Sequence, residues 1–332
     1  MPTLAVAEAS NAAFSPTYIP VALFVGGTSG VGQAMAEAFA RQTNGRAHII
    51  LIGRNEGAAR DIFAGLPKPL DTEGCAYEFV YCDATSMVNI RTVCAGLRAR
   101  LPRINFLILT ASGPAANTMI ACGETPEGLD NHLAMRYFAR YVFTKELLPL
   151  LVAAQEEGQS AHLMTVLGAG LGFKIPTDDL GLDAARRSSI KGMIRGAAYN
   201  DGLVASFAAQ HLDIAFTHIY PGQVKTTSAR VNLGWLLAPL TWLLERHRSA
   251  MRIPQDECAQ YMLYALLDAE RGMFIRDNHG DVVCAHVFTA DHGAAFDTDS
   301  PTTQEVVRFT LFPAFVDSCC ITWSRGFSTV CQ

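Results

Sequence analysis

The sequence predicts a doubly wound α/β fold, one domain built around an open parallel sheet. Three observations carry that expectation. Apolar runs of strand length alternate with segments of helix length along most of the 332 residues. Several runs are apolar throughout, as in strands covered on both faces. A glycine cluster stands between the first run and the first helix, where such folds turn the chain beneath a phosphate group. Strand–helix alternation of this kind implies right-handed crossovers and parallel neighbours.

The elements follow in order. Residues 1–19 hold Ala, Ser and Pro without a period and read as an extended N-terminal arm. Strands are expected at Val21–Val25, His48–Ile52, Tyr77–Cys82, Ile104–Leu109, Ala161–Leu167 and Ile214–Ile219, with a seventh at Gly272–Arg276. Helices are expected at Val31–Arg41, Met87–Arg100, Leu129–Ala154 and Ala184–Gln210. The domain spans 20–290. Residues 291–332 read as a C-terminal extension, with Asp/Thr/Ser/Pro punctuation at 297–303. There is no internal repeat and no low-complexity linker.

Composition excludes several classes. Half the residues are hydrophobic and 17% are charged, enough for a large core. A net charge of -5 disfavours nucleic acid as a partner. Nine cysteines at irregular spacing give neither a disulfide framework nor zinc ligands. The nine histidines show no metal spacing, so no metal site is expected. Without a secretory signal, reduced thiols in the cytoplasm are the simplest reading. The longest apolar stretch, Val231–Leu244, contains Asn232 and Pro239. It is shorter than the roughly 20 residues of a membrane span, so no transmembrane segment is expected.

The chemistry begins at residues 25–32, Val-Gly-Gly-Thr-Ser-Gly-Val-Gly. Gly26 allows a tight turn, Gly30 a close approach to pyrophosphate, and Gly32 the packing of helix on strand. The helix behind them offers free N–H groups and the positive end of its dipole. Gly26, Thr28, Ser29, Gly30, Val31 and Gly32 are therefore the phosphate-turn candidates. The second strand is followed by Gly53-Arg54-Asn55. An acid at that place would bind a ribose 2′-hydroxyl, whereas Arg54 pairs with a 2′-phosphate and favours NADP(H). Asp83, ending the third strand, suits either the adenine amino group or a helix cap.

The glycine pattern, Gly-Arg-Asn, Asp83, Glu127-Gly-Leu-Asp, Glu146-Leu-Leu-Pro-Leu-Leu151 and Pro221-Gly-Gln-Val-Lys-Thr226 together resemble the short-chain dehydrogenase/reductase (SDR) superfamily over roughly 20–285. Finer details, such as His218-Ile-Tyr-Pro-Gly-Gln-Val-Lys-Thr, resemble a fungal subgroup associated with natural-product pathways. The resemblance implies a Rossmann-like sheet. It implies that Pro221, Gly222 and Val224 border the nicotinamide and that Thr226 binds its carboxamide. Ala111, past the fourth strand, joins the cofactor candidates.

The resemblance also implies a catalytic Asn, Ser, Tyr and Lys, and here the sequence departs. The Asn position falls on Arg136 and the Ser position on Leu167, while Thr165 reads as a strand residue. No Tyr-x-x-x-Lys follows the fifth strand; Tyr141 and Lys145 have the spacing but precede it, and read as helix core and surface. Counting back from Pro221 lands on Lys191 and Arg195; the subgroup pattern lands on Ser188 and Gly192. Arg136, Ser188, Lys191, Arg195 and Tyr199 are thus the catalytic candidates, set against a solvated basic helix start. Three functions stay open: an atypical NADP(H)-dependent oxidoreductase, a redox-neutral cyclase or isomerase, and a non-catalytic cofactor-binding protein. Residues 225–255, with Trp235 and Trp242 among leucines, read as a cover over an apolar small-molecule substrate. A homodimer face or a membrane-surface contact would suit the same apolar stretch.

Overall fold

The computed structural model describes residues 1–112, 124–170, 189–225 and 252–286. Its strands are β1 (Val21–Val25), β2 (His48–Gly53), β3 (Ala76–Tyr81), β4 (Phe106–Leu109), β5 (His162–Val166), β6 (Ala215–Ile219), β7 (Gly272–Arg276) and β8 (Val282–His286). They form one sheet in the order β3-β2-β1-β4-β5-β6-β7-β8. The first seven are parallel, and β8 closes the edge antiparallel to β7. The doubly wound reading holds, and every expected strand is present within two residues at each end.

The described helices are α1 (Leu4–Ala12), α2 (Gly30–Gln42), α3 (Glu56–Gly65), α4 (Met87–Arg100), α5 (Ala139–Glu156), α6 (Ser189–Gln210) and α7 (Gln255–Asp268). Successive strand residues feed two cores. Val21, Leu23 and Val25 join the layer that contains residues of α4, α5 and α6. Ala22 and Phe24 join the layer under α2, α3 and α7. That explains the unbroken apolar runs: both faces of the central strands exclude water.

Two expectations change. The lead-in is helical over Leu4–Ala12, not extended. Thr3 caps it through a bond from the Val6 N–H, and Ala7 and Asn11 bury one face. Asn11 donates to the Gln260 carbonyl (3.0 Å) and to its Oε1 (2.9 Å), fastening α1 to α7. The expected Leu129–Ala154 helix is not uniform. A short turn at Asn131–Leu133 runs into a π-helix at Ala134–Phe138, and only then into α5. Asp130 caps the turn, accepting from the His132 and Leu133 N–H groups at 2.9 and 3.0 Å. Residues 291–332, and most of the expected cover at 225–255, lie outside the described residues. No helix of the described residues is long and apolar enough to cross a membrane.

Candidate active site

Strand order reverses between β1 and β4, and the carboxyl ends of the strands there open a crevice. A cavity of roughly 860 Å³ occupies it. Gly26, Thr28, Ser29, Gly30, Val31 and Gly32 line one end, with Arg54 beside them and Ala111, Pro221, Gly222 and Val224 further along. Gly26 turns the chain at φ +85°. A Cβ on Gly32 would meet the Thr110 Oγ1 at 2.3 Å and the Gly26 carbonyl at 2.6 Å, so only glycine lets α2 sit this close to the sheet. Ser29 precedes α2 in extended conformation and makes no side-chain cap, which leaves the first N–H groups of the helix to a ligand. Such a turn has room and helix N–H groups with which it could hold a phosphate.

Asp83 is not part of the lining; Cys82 and Ala84 on either side of it are. Its carboxylate accepts from the N–H (3.0 Å) and hydroxyl (2.8 Å) of Thr85 in a local turn. Nor does it cap α4. Ser86 is the cap, accepting from the Asn89 N–H at 3.2 Å. Glu127 completes that end by accepting from the Ser86 hydroxyl (2.8 Å) and the Met87 N–H (2.9 Å). Thr226 lies outside the described residues.

The far end is lined by Met135, Arg136, Leu167, Ile194 and Ala197. Of the described residues put forward for chemistry, only Arg136 is brought there, on the π-helix. Ser188 lies outside the described residues. Lys191 and Arg195 are not part of the lining, because α6 turns Ile194 and Ala197 toward the cavity instead. Lys191 is exposed. Tyr199 is fully buried, its ring edge-on to Tyr137 with centroids 5.2 Å apart. It packs in the core.

Sequence reasoning overlooked the polar network behind this wall. Arg140, one turn beyond Arg136, is 2% exposed. It donates to the Thr165 hydroxyl, to the Ala111 carbonyl (3.2 Å) and to the Val166 carbonyl (3.1 Å). Burial, then the neighbouring Arg136, pull its pKa down to about 9. Thr165 donates in turn to Asn200 Oδ1 at 2.8 Å. The Asn200 amide donates to the Arg136 carbonyl (2.7 Å) and the Gly196 carbonyl (2.6 Å), tying α6 to the π-helix. Thr165 is the strand residue expected, and its hydroxyl links Arg140 to Asn200. The signal was present in the spacing: Arg136, Arg140, Thr144, Leu147 and Leu151 share one helical face that ends in fully buried leucines. A second, partly buried pair joins α6 to β6, with buried His218 Nδ1 2.6 Å from Asp201 Oδ1. Among the described residues no cluster of ligands could hold a metal ion.

The profile of the short chain dehydrogenase family matches residues 20–169. Oxidoreductase andH of Emericella variicolor is 32% identical over 270 residues, which covers 81% of this chain and 76% of that protein. Oxidoreductase AN1596 of Emericella nidulans is 32% identical over 227 residues, covering 68% of this chain and 65% of its own length. Among solved structures, the NADPH-bound carbonyl reductase from chicken fatty liver superposes with a TM-score of 0.56 over 80% of this chain and 99% of that one, at 17% identity. That likeness shows a shared fold. With a glycine turn at the switch point of a parallel sheet and fungal relatives matched over most of its length, the chain belongs to the short-chain dehydrogenase/reductase family.

Proposed function

We propose that the protein is an NADP(H)-binding oxidoreductase of atypical chemistry, acting in the cytoplasm on an apolar small molecule of a natural-product pathway. One observation carries the cofactor reading. The described lining of the cavity contains three arginines, Arg54, Arg136 and Arg252, and no Asp or Glu. This stands in a chain whose net charge is -5. A carboxylate after β2 would repel a 2′-phosphate, whereas Arg54 attracts one. The cradle at Gly26–Gly32 fits the pyrophosphate, and Pro221–Val224 flank the position of the nicotinamide. When bound, the dinucleotide supplies a hydride donor or acceptor. The chain's own residues then orient the substrate and exclude water.

The lining of the far end favours a second reading. Leu167 stands where the family pattern has Ser, and neither it nor Ile194 or Ala197 beside it carries a proton donor. Arg136 stabilises a developing oxyanion without giving up a proton, which suits reduction and equally a redox-neutral cyclisation or isomerisation. Loss of a positioned general acid costs roughly 10²–10⁴-fold in rate and does not abolish hydride transfer. Absorbance at 340 nm during turnover separates the two, and a protein that binds cofactor but turns nothing over would be the non-catalytic case. Calorimetric titration with NADPH and NADH tests the cofactor reading. Wild type should prefer NADPH at least tenfold, and Arg54→Ala should erase the preference. Equal affinities in wild type would overturn it.

A further inference from the structure

We infer that the substrate carries a carboxylate and that Arg136 holds it, an inference that rests on reading this cavity as the active site. Arg136 lines the cavity and is 8% exposed. Its Nε is buried without a hydrogen-bond partner. Burial alone lowers its pKa, with no acid among the described residues drawn against its guanidinium. Arg140 behind it is served by a hydroxyl and two carbonyls, none of them charged. Two guanidinium groups therefore stand one helical turn apart in a largely apolar wall with no counter-ion among the described residues.

A buried, uncompensated cation costs several kcal/mol, so such a group is stable only if something brings the opposite charge. The pyrophosphate and 2′-phosphate of the cofactor do not fill this role, because their cradle and Arg54 lie at the other end of the cavity. The planar guanidinium fork matches a carboxylate through two parallel bonds. Its aim is built in. A Cβ on Gly196 would come within 2.9 Å of the Arg136 Cβ and 3.5 Å of its Cδ, so α6 carries glycine where the arginine stem passes. Asn200 fixes the Arg136 backbone carbonyl from the same helix. Met135, Leu167, Ile194 and Ala197 surround the charge with apolar surface. The ligand that fits is an apolar acid.

The test uses the full chain and paired probes, 2-naphthoate against 2-naphthamide and decanoate against decanamide. Each is titrated by calorimetry with and without saturating NADP⁺. At least one acid should bind tenfold or more tightly than its amide. Arg136→Met should level the pair, and Arg136→Lys should retain part of the advantage. Circular dichroism checks that the variants fold, and the acid–amide comparison in wild type stands without them. Acids no tighter than amides, an advantage that survives in folded Arg136→Met, or no acid binding at millimolar concentration would each overturn the inference. Titration with NADP⁺ alone tests the cofactor reading separately, because the acid preference is also read in cofactor-free protein.

Discussion

The two ends of the cavity are built from different materials. At the β1–α2 end the main chain forms the surface: a glycine at positive φ, a second glycine against Thr110, and helix N–H groups without a side-chain cap. At the π-helix–α6 end side chains form it, Met135, Arg136, Leu167, Ile194 and Ala197, backed by the buried network of Arg140, Thr165 and Asn200. A surface made of backbone tolerates few residues at a few positions, since any Cβ there collides with neighbouring backbone or a tethered hydroxyl. A surface made of side chains can exchange its members as a set, provided that buried polar groups remain paired. A backbone-built end is therefore harder to alter by substitution than a side-chain-built one.

Four substitutions would break or sharpen this contrast. Gly32→Val should have the largest effect. Thr110 is held by its own bond to the Val25 carbonyl (2.9 Å) and has little room to yield. Overpacking should remove about 3 kcal/mol of stability, and NADPH affinity should fall more than a hundredfold. Denaturant unfolding and calorimetry read the two effects, and near-normal affinity would mean that the backbone cradle is not the cofactor end.

The second test lies outside both ends. Burial, partly offset by a bond from Nδ1 to the Leu266 carbonyl, lowers the His162 pKa from 6.5 to about 4. Between those values the unfolded chain takes up the proton and the folded one does not, so stability falls with pH across that window and is fully present above it. The loss amounts to about 3 kcal/mol. His162→Phe should flatten that part of the stability–pH curve; a difference curve with no slope between pH 6.5 and 4 would contradict the assignment.

Asn200→Ala should cost about 2 kcal/mol through three lost hydrogen bonds. NADPH affinity should stay within threefold of wild type. A parallel fall in affinity would show that the two ends are coupled. The smallest effect belongs to Leu167→Ser. Restoring one hydroxyl beside Ile194 and Ala197 supplies no acid or base, so reduction of a carbonyl probe, followed at 340 nm, should change less than threefold. A large gain would mean that a proton donor already stands within reach, for which the lining offers Tyr220.

The sheet was legible because its signal is local. β1 and β7 match the expected bounds at both ends, since an apolar run between turn residues reports burial on both faces. The glycine turn was legible for a related reason, as Gly26 and Gly32 answer steric demands set by residues near them in the chain or on the adjoining strand. The far end was not. Lys191 and Arg195 have the right spacing, but α6 packs through Gly192 on the Asn131–Leu133 turn and through Gly196 on the π-helix, and that turns Ile194 and Ala197 inward. Arg140 reads as one more charge in a helix until Thr165 and Asn200, distant in sequence, arrive beside it. Helix α1 was missed because its Ala, Ser and Asn content gives almost no apolar stripe; it is held by a small buried face and one amide.

That first helix also fixes an order of events. Asn11 and its partner Gln260 are 249 residues apart. At roughly 5–20 residues per second of synthesis, α1 waits on the order of tens of seconds for α7 to leave the ribosome. An isolated helix shorter than ~12–15 residues is marginal in water, and α1 has 9. It therefore samples coil until the sheet and α7 exist, and docks as a closing step. Its protection against hydrogen exchange should appear only after that of β1 and β4, which makes the α1–α7 contact a clock for completion of the fold.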